Sequence, residues 1–150
     1  VLVSDRGVEG LVILMQNLNT VESNTYTNGV LEIVAQAGVP KADILKIFIK
    51  HRLMPAIFLA GLPGDVGGGV VMNAGISHDV SPKEFHEIVS WIEVVDLNSR
   101  DLKLKRFESN ELQWHYRKCE GWRPGVIYRV GLSWSLPPDE GMLKTLQESN

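Results

Sequence analysis

Five glycines, Gly61, Gly64, Gly67, Gly68 and Gly69, fall within nine positions. The stretch Gly61-Leu62-Pro63-Gly64-Asp65-Val66-Gly67-Gly68 is the part of the chain best suited to hold an anion. Without Cβ atoms, a backbone can approach a phosphate closely and aim several N–H groups at it. Pro63 stiffens the turn and lowers the entropy of ordering it. Val70, Val71 and Met72 follow, and can start a short helix whose positive end faces the same anion. A tight turn between a strand and a helix accounts for the cluster equally well. Neither of the usual nucleotide patterns fits. Gly64 to Gly69 is followed by Val70, not by Lys-Ser/Thr, and no Gly-x-Gly-x-x-Gly opens a strand–helix–strand unit here.

Other reactive side chains are sparse. Cys119 is the single cysteine, so an internal disulfide is excluded and a reducing cytosol fits best. It reads as a packing residue rather than a nucleophile. Arg117, next to Tyr116, is either a surface arginine paired with Glu111 or Glu120, or an anion-binding group. His51, His78, His86 and His115 lack a usual zinc spacing, which leaves capping or solvated roles. Lys103, Lys105 and Arg106 read as the solvent side of a strand.

A chain of 150 residues, 44% hydrophobic and 22% charged, is long enough for one domain with a core. A net charge of −3 argues against nucleic acid as a partner. The longest apolar stretches, Leu11 to Met15 and Ala56 to Leu62, are too short to span a membrane. Val1-Leu2-Val3-Ser4 has neither an initiator methionine nor a signal-peptide pattern, and the last residues stop in a predicted helix. Both ends are those expected of a fragment.

The elements that must carry the glycines follow from periodicity. Val1 to Val3 is a short strand and Leu11 to Met15 a buried one. Asn17 to Asn28 is a loop or edge hairpin, and Val30 to Ala37 a strand with Leu31, Ile33 and Ala35 on one face. Ile44, Leu45, Ile47, Phe48 and Leu53 form the stripe of a helix that starts near Pro40 and ends at Pro55. Ser81-Pro82-Lys83-Glu84 reads as a capping box opening a short helix to about Ile88. Strands are expected from Trp91 to Leu97, from Leu102 to Phe107 with both leucines inward, and from Val126 to Leu136. Glu108 to His115 reads as one helical turn or more, and Gly141 to Glu148 as a helix. Strands and helices do not alternate regularly, and this predicts an α+β fold.

Phe58 to Gly75, with Gly61-Leu62-Pro63-Gly64-Asp65-Val66-Gly67-Gly68-Gly69 followed by Asn73-Ala74-Gly75, closely resembles the flavin-binding segment of the UDP-N-acetylenolpyruvoylglucosamine reductase (UDP-N-acetylmuramate dehydrogenase) family. Val1 to Ile13 resembles the strand and turn after that family's first phosphate loop. Tyr116-Arg117-Lys118-Cys119 resembles its Tyr-Arg-x-Ser motif, and Val126 to Leu136 the strand after it. The resemblance implies an FAD-binding domain of the vanillyl-alcohol-oxidase kind, a mostly antiparallel sheet flanked by helices. It implies a second FAD-binding subdomain over 1–136 and the start of a substrate-binding domain over 137–150.

The same resemblance implies FAD as cofactor, NADPH as reductant and UDP-N-acetylglucosamine enolpyruvate as substrate, in cytoplasmic peptidoglycan precursor synthesis. Leu62, Pro63, Gly64, Gly67 and Gly68 would then face the FAD pyrophosphate and neighbouring atoms. Asn73 and Gly75 would lie along the cofactor, and Ile127 would touch it from the late strand. Arg117 would be the active-site arginine, stabilising the enolate at the substrate carboxylate, with Tyr116 beside it on the substrate. The family's first phosphate loop, its serine or cysteine proton donor and its C-terminal glutamate have no counterpart in these 150 residues. The chain alone is therefore expected to show no turnover. Another FAD oxidoreductase of the same fold and a non-catalytic module that kept the loop are the rival readings.

Overall fold

A computed structural model describes residues 5–76 and 81–148. Its main sheet has five antiparallel strands in the order β1 (Val21–Thr27), β2 (Val30–Gln36), β7 (Gly125–Trp134), β3 (Val89–Asp96) and β4 (Leu104–Glu108). A second hairpin pairs β5 (Gln113–His115) with β6 (Lys118–Glu120). Three helices, α1 (Lys41–Lys50), α2 (Pro55–Ala60) and α3 (Val66–Val71), lie between β2 and β3 in the chain, and α4 (Met142–Glu148) closes it. The α+β expectation holds.

The sheet buries one face. Leu31, Ile33 and Ala35 of β2, Ile92 and Val94 of β3, and Val130 and Leu132 of β7 join Ile44, Phe48, Leu53 and Phe58 in one core. The other face is mixed, with Val34 and Trp91 among charged residues such as Glu93 and Arg129, and Arg106 lies over the Trp91 ring. There Arg129 bonds Glu93 through Nε at 2.6 Å and Glu22 through Nη1 at 2.8 Å, tying β7 to β3 and β1. These carboxylates hold the guanidinium's pKa above its ordinary value.

Several expectations change. Leu11 to Met15 is not a buried strand: it pairs with nothing in the sheet, and Leu11, Val12, Ile13 and Leu14 are exposed. Both sides of β2 are already occupied, by β1 and β7, so the run cannot pair with that strand. The segment 17–28 contributes β1, the edge of a hairpin. The first helix ends at Lys50, short of Leu53 and Pro55, and Pro55 sits instead in the first turn of α2, where its missing N–H is harmless. The capping box is three residues later than expected. Glu84 caps a 3-10 turn over Phe85–Glu87, and Glu87 answers it. Glu108 to His115 holds one helical turn, of the 3-10 kind, over Ser109–Glu111, as expected, and then β5. Leu102 and Leu104 are exposed, because β4 is an edge strand and Leu102 lies before it at φ +48°. Residues 1–4, with the expected first strand, and His78 with Asp79 lie outside the described residues.

Candidate functional site

The glycine segment folds as a turn followed by α3, with its first helical residue at Val66 rather than Val70. Gly64 takes φ +88°, a conformation that side chains resist. The three successive glycines of α3 meet different surroundings. A Cβ on Gly67 would lie 2.9 Å from the Cβ of Ala37, and one on Gly69 would lie 2.7 Å from the Phe85 ring. Both glycines are buried and let α3 close on β2 and on the Phe85 turn. Gly68 is exposed, and a Cβ there would meet nothing within 4 Å. Internal packing accounts for Gly67 and Gly69. It does not account for Gly68, which costs about 1 kcal/mol of helix propensity relative to alanine.

Two hollows meet at Gly68 and Asp65. One, of about 290 Å³, is mainly apolar, with Ile13, Met15, Ala37, Val71 and Ile127 in its walls. The other, of about 410 Å³, is lined by Lys41, Leu62, Pro63, Gly64, Met72, Ala74 and Arg117 as well. Both volumes are of the order that small-molecule sites occupy. Six of the expected residues, Leu62, Pro63, Gly64, Gly68, Arg117 and, across the ridge, Ile127, therefore line one continuous trough, and Gly67 joins them in the apolar part.

The first two N–H groups of α3 do not face this trough. Val66 donates to the Val39 carbonyl at 2.9 Å and Gly67 to the Ala37 carbonyl at 2.8 Å. The positive end of α3 is thus engaged by the β2–α1 connection, and the expected helix-end contact with an anion is not available from these two donors.

Asn73 and Gly75 sit behind the trough. Asn73 is buried at φ +37°. Its Nδ2 donates to Glu84 Oε2 at 2.8 Å and to the His115 carbonyl at 3.1 Å, and its Oδ1 accepts from the His86 N–H at 3.1 Å. Gly75 pairs with Glu84, and a Cβ there would lie 2.7 Å from the Lys83 carbonyl. His115 is the last residue before the Tyr116-Arg117 turn, so Asn73 ties the end of α3 to the hairpin that presents Arg117. The sequence singled out Asn73, but not this link across 42 positions.

Tyr116 is 81% exposed at the hairpin tip. Arg117 takes φ +58° and lies with its guanidinium carbon 5.4 Å from the Tyr116 ring centre. Glu120 is paired instead with Lys118, at 2.7 Å, so it is not the arginine's partner. Behind the hairpin, burial pushes the Cys119 thiol up to about 11, and its neutral form packs beside Trp122. Lys41 was missed by sequence reasoning. It is 4% exposed, and burial holds its pKa below the ordinary value, with Asp65 partly offsetting this. A lysine after a proline carries no sequence signal of burial.

Residues 1–104 match the FAD binding domain family, and the chain belongs to that family. Its relatives narrow the class. The chain is 39% identical over 121 residues to the UDP-N-acetylenolpyruvoylglucosamine reductase of Chloroherpeton thalassium, covering 80% of this chain and 35% of that protein. It is 32% identical over 153 residues to the reductase of the same name from Caldanaerobacter subterraneus subsp. tengcongensis, covering 99% of this chain and 46% of that protein. The crystal structure of the Thermus caldophilus UDP-N-acetylenolpyruvylglucosamine reductase superimposes with a TM-score of 0.61 at 26% identity, over 83% of this chain and 42% of that one. The chain thus spans less than half the length of these relatives.

Proposed function

We propose that this chain forms one wall of the FAD cleft in a reductase that converts UDP-N-acetylglucosamine enolpyruvate to UDP-N-acetylmuramate, with NADPH as the electron source. The observation that carries the cofactor reading is Gly68: an exposed helical glycine, unneeded by packing, on the ridge between an apolar and a cationic hollow. The absence of a Cβ there leaves room for a ligand to cross from one hollow to the other.

Leu62, Pro63, Gly64, Gly67 and Gly68 are the backbone cradle in this reading, and Ile127 with Val71 offers apolar area to a ring. Bound FAD supplies hydride. Arg117 holds the substrate carboxylate and stabilises negative charge developing on it, the kind of fixed electrostatic contact that matters most in such reactions. Tyr116, stacked beside the guanidinium, limits its rotation and meets the substrate. Asn73 and Gly75 act from behind, by fixing the hairpin and the Glu84 turn. Proton delivery to the substrate belongs to residues beyond these 150, and turnover requires the whole protein. The identities of the reductase relatives support this reading.

The whole protein, mixed with FAD, NADPH and UDP-N-acetylglucosamine enolpyruvate, should form UDP-N-acetylmuramate, detected by mass spectrometry. Stoichiometric flavin binding without that product would sink the substrate assignment. No flavin binding at all would sink the cofactor.

A further inference from the structure

Lys41 opens α1 and reaches under the glycine turn. Its backbone N–H donates to the Gly64 carbonyl at 2.9 Å, which pins the helix start to the loop. Its Nζ lies 3.9 Å from where a Gly64 Cβ would stand, and its side chain forms part of the wall of the hollow that Arg117 shares. Among the described residues the ammonium has no hydrogen-bond or ion-pair partner. Its electrostatic company is Asp65, beyond ion-pair distance, and the Phe85 ring, with its centre 5.8 Å away. Buried ammonium groups are normally paired, since desolvation disfavours the charge. Lys41 thus carries an unpartnered charge at the wall of the hollow.

We infer that Lys41 is an anion-binding residue of this site, and that, with the glycine turn beside it, it takes a diphosphate group. Two cations from separate elements, α1 and the β5–β6 turn, face one hollow. Only Asp65 in its wall carries the opposite charge. With the substrate carboxylate on Arg117, Lys41 is the cation left for a second anionic group, and a diphosphate diester supplies one. Such a group occurs both in a flavin dinucleotide and in a nucleotide sugar. The lowered pKa of Lys41 is the free-state signature expected of a charge that awaits a counterion.

The inference rests on the cofactor reading only for the identity of its ligand. The test compares the whole protein with its Lys41→Met variant, which keeps the buried stem and removes the charge. Calorimetric titrations use FAD, riboflavin, UDP-N-acetylglucosamine and inorganic pyrophosphate. Lys41→Met should weaken one of the two diphosphate esters, and pyrophosphate, by roughly tenfold or more, as loss of a charged hydrogen-bond partner does. Riboflavin, which has no phosphate, should bind unchanged. Loss confined to FAD assigns the group to the cofactor, and loss confined to the nucleotide sugar assigns it to the substrate. The ligand-free variant should melt higher than wild type, because an unpaired buried charge is gone. Unchanged affinity for every diphosphate, equal loss for riboflavin, or a lower melting temperature overturns the inference. If the variant does not fold, the lysine 13Cε spectrum of the wild-type protein decides: the Lys41 resonance must move on adding pyrophosphate, and a static resonance overturns the inference. Pyrophosphate binding through Lys41 in a protein that binds no flavin would refute the cofactor and leave this site standing.

Discussion

The two hollows beside Gly68 are both mainly apolar and differ in the charge of their walls. One is walled by β7, by α3 and by the chain before β1, and it offers methyl groups and backbone. The other is walled by the glycine turn, α1 and the hairpin tip, and it offers two cations. A ligand that fills both must have an apolar end and an anionic part separated by a few ångströms. On the proposed reading, recognition is divided: apolar area gives binding on one side, and fixed charge gives orientation on the other.

The sharpest way to break this division is Arg117→Ala. Arg117 is exposed in a turn and pairs with no carboxylate among the described residues, so folding should change little. The turnover number of the whole protein should fall by roughly 100- to 1,000-fold, the loss typical of removing one charge-stabilising donor. Flavin affinity measured by fluorescence quenching should stay closer to wild type than kcat does. A drop in stability matching the drop in rate would place Arg117 in the scaffold instead.

The glycines of α3 give a finer cut. Gly68→Val narrows both hollows at once, and flavin affinity should drop on the order of 10- to 100-fold, by analogy with overpacking costs of about 1–3 kcal/mol. Gly68→Ala should leave chemical denaturation unchanged or raise stability by up to about 1 kcal/mol. Gly69→Ala should instead lower it by about 2 kcal/mol, because the new methyl meets the Phe85 ring. If the two alanine variants behave alike, the assignment of one glycine to packing and its neighbour to a ligand is wrong.

The smallest expected effect is at Cys119. Its thiol should resist alkylation at pH 7.5 until the protein unfolds. Its folded pKa, about 11, exceeds the ordinary 9.0, so the unfolded thiol ionises first and stability falls as pH rises between those values. Lys41 slopes the other way. Its folded pKa is below 10.5, so the unfolded state binds more protons and stability rises with pH up to that value. The difference between wild type and Cys119→Ala isolates the cysteine's part.

The sequence showed the parts whose cause is local. The stripe of α1 and the alternation of β2 and β7 are patterns of adjacent residues, and each is a described element. The glycine turn was legible for the same reason, since Pro63 and Gly64 act on their own backbone. The apolar run Leu11 to Leu14 misled, because burial needs a partner surface and no sequence window contains one. The point where the expected helical turn gives way to a strand was hidden for a similar reason. Gln113 to His115 extends because Lys118 to Glu120 returns alongside it. At the site, Lys41 and the threefold role of Asn73 depend on chain segments that meet only after folding.

The Asn73 clasp has a consequence for how this site tolerates change. Ile76 donates to the Lys83 carbonyl at 3.1 Å and Gly75 pairs with Glu84, so the chain between them leaves and re-enters at one place. Asn73 bolts that doorway to the His115 end of the hairpin. Insertions or deletions beyond the doorway should therefore leave the spacing between the glycine ridge and Arg117 unchanged. The site is thus insulated from length variation next to it, a licence for the neighbouring segment to diversify while the chemistry keeps its measure.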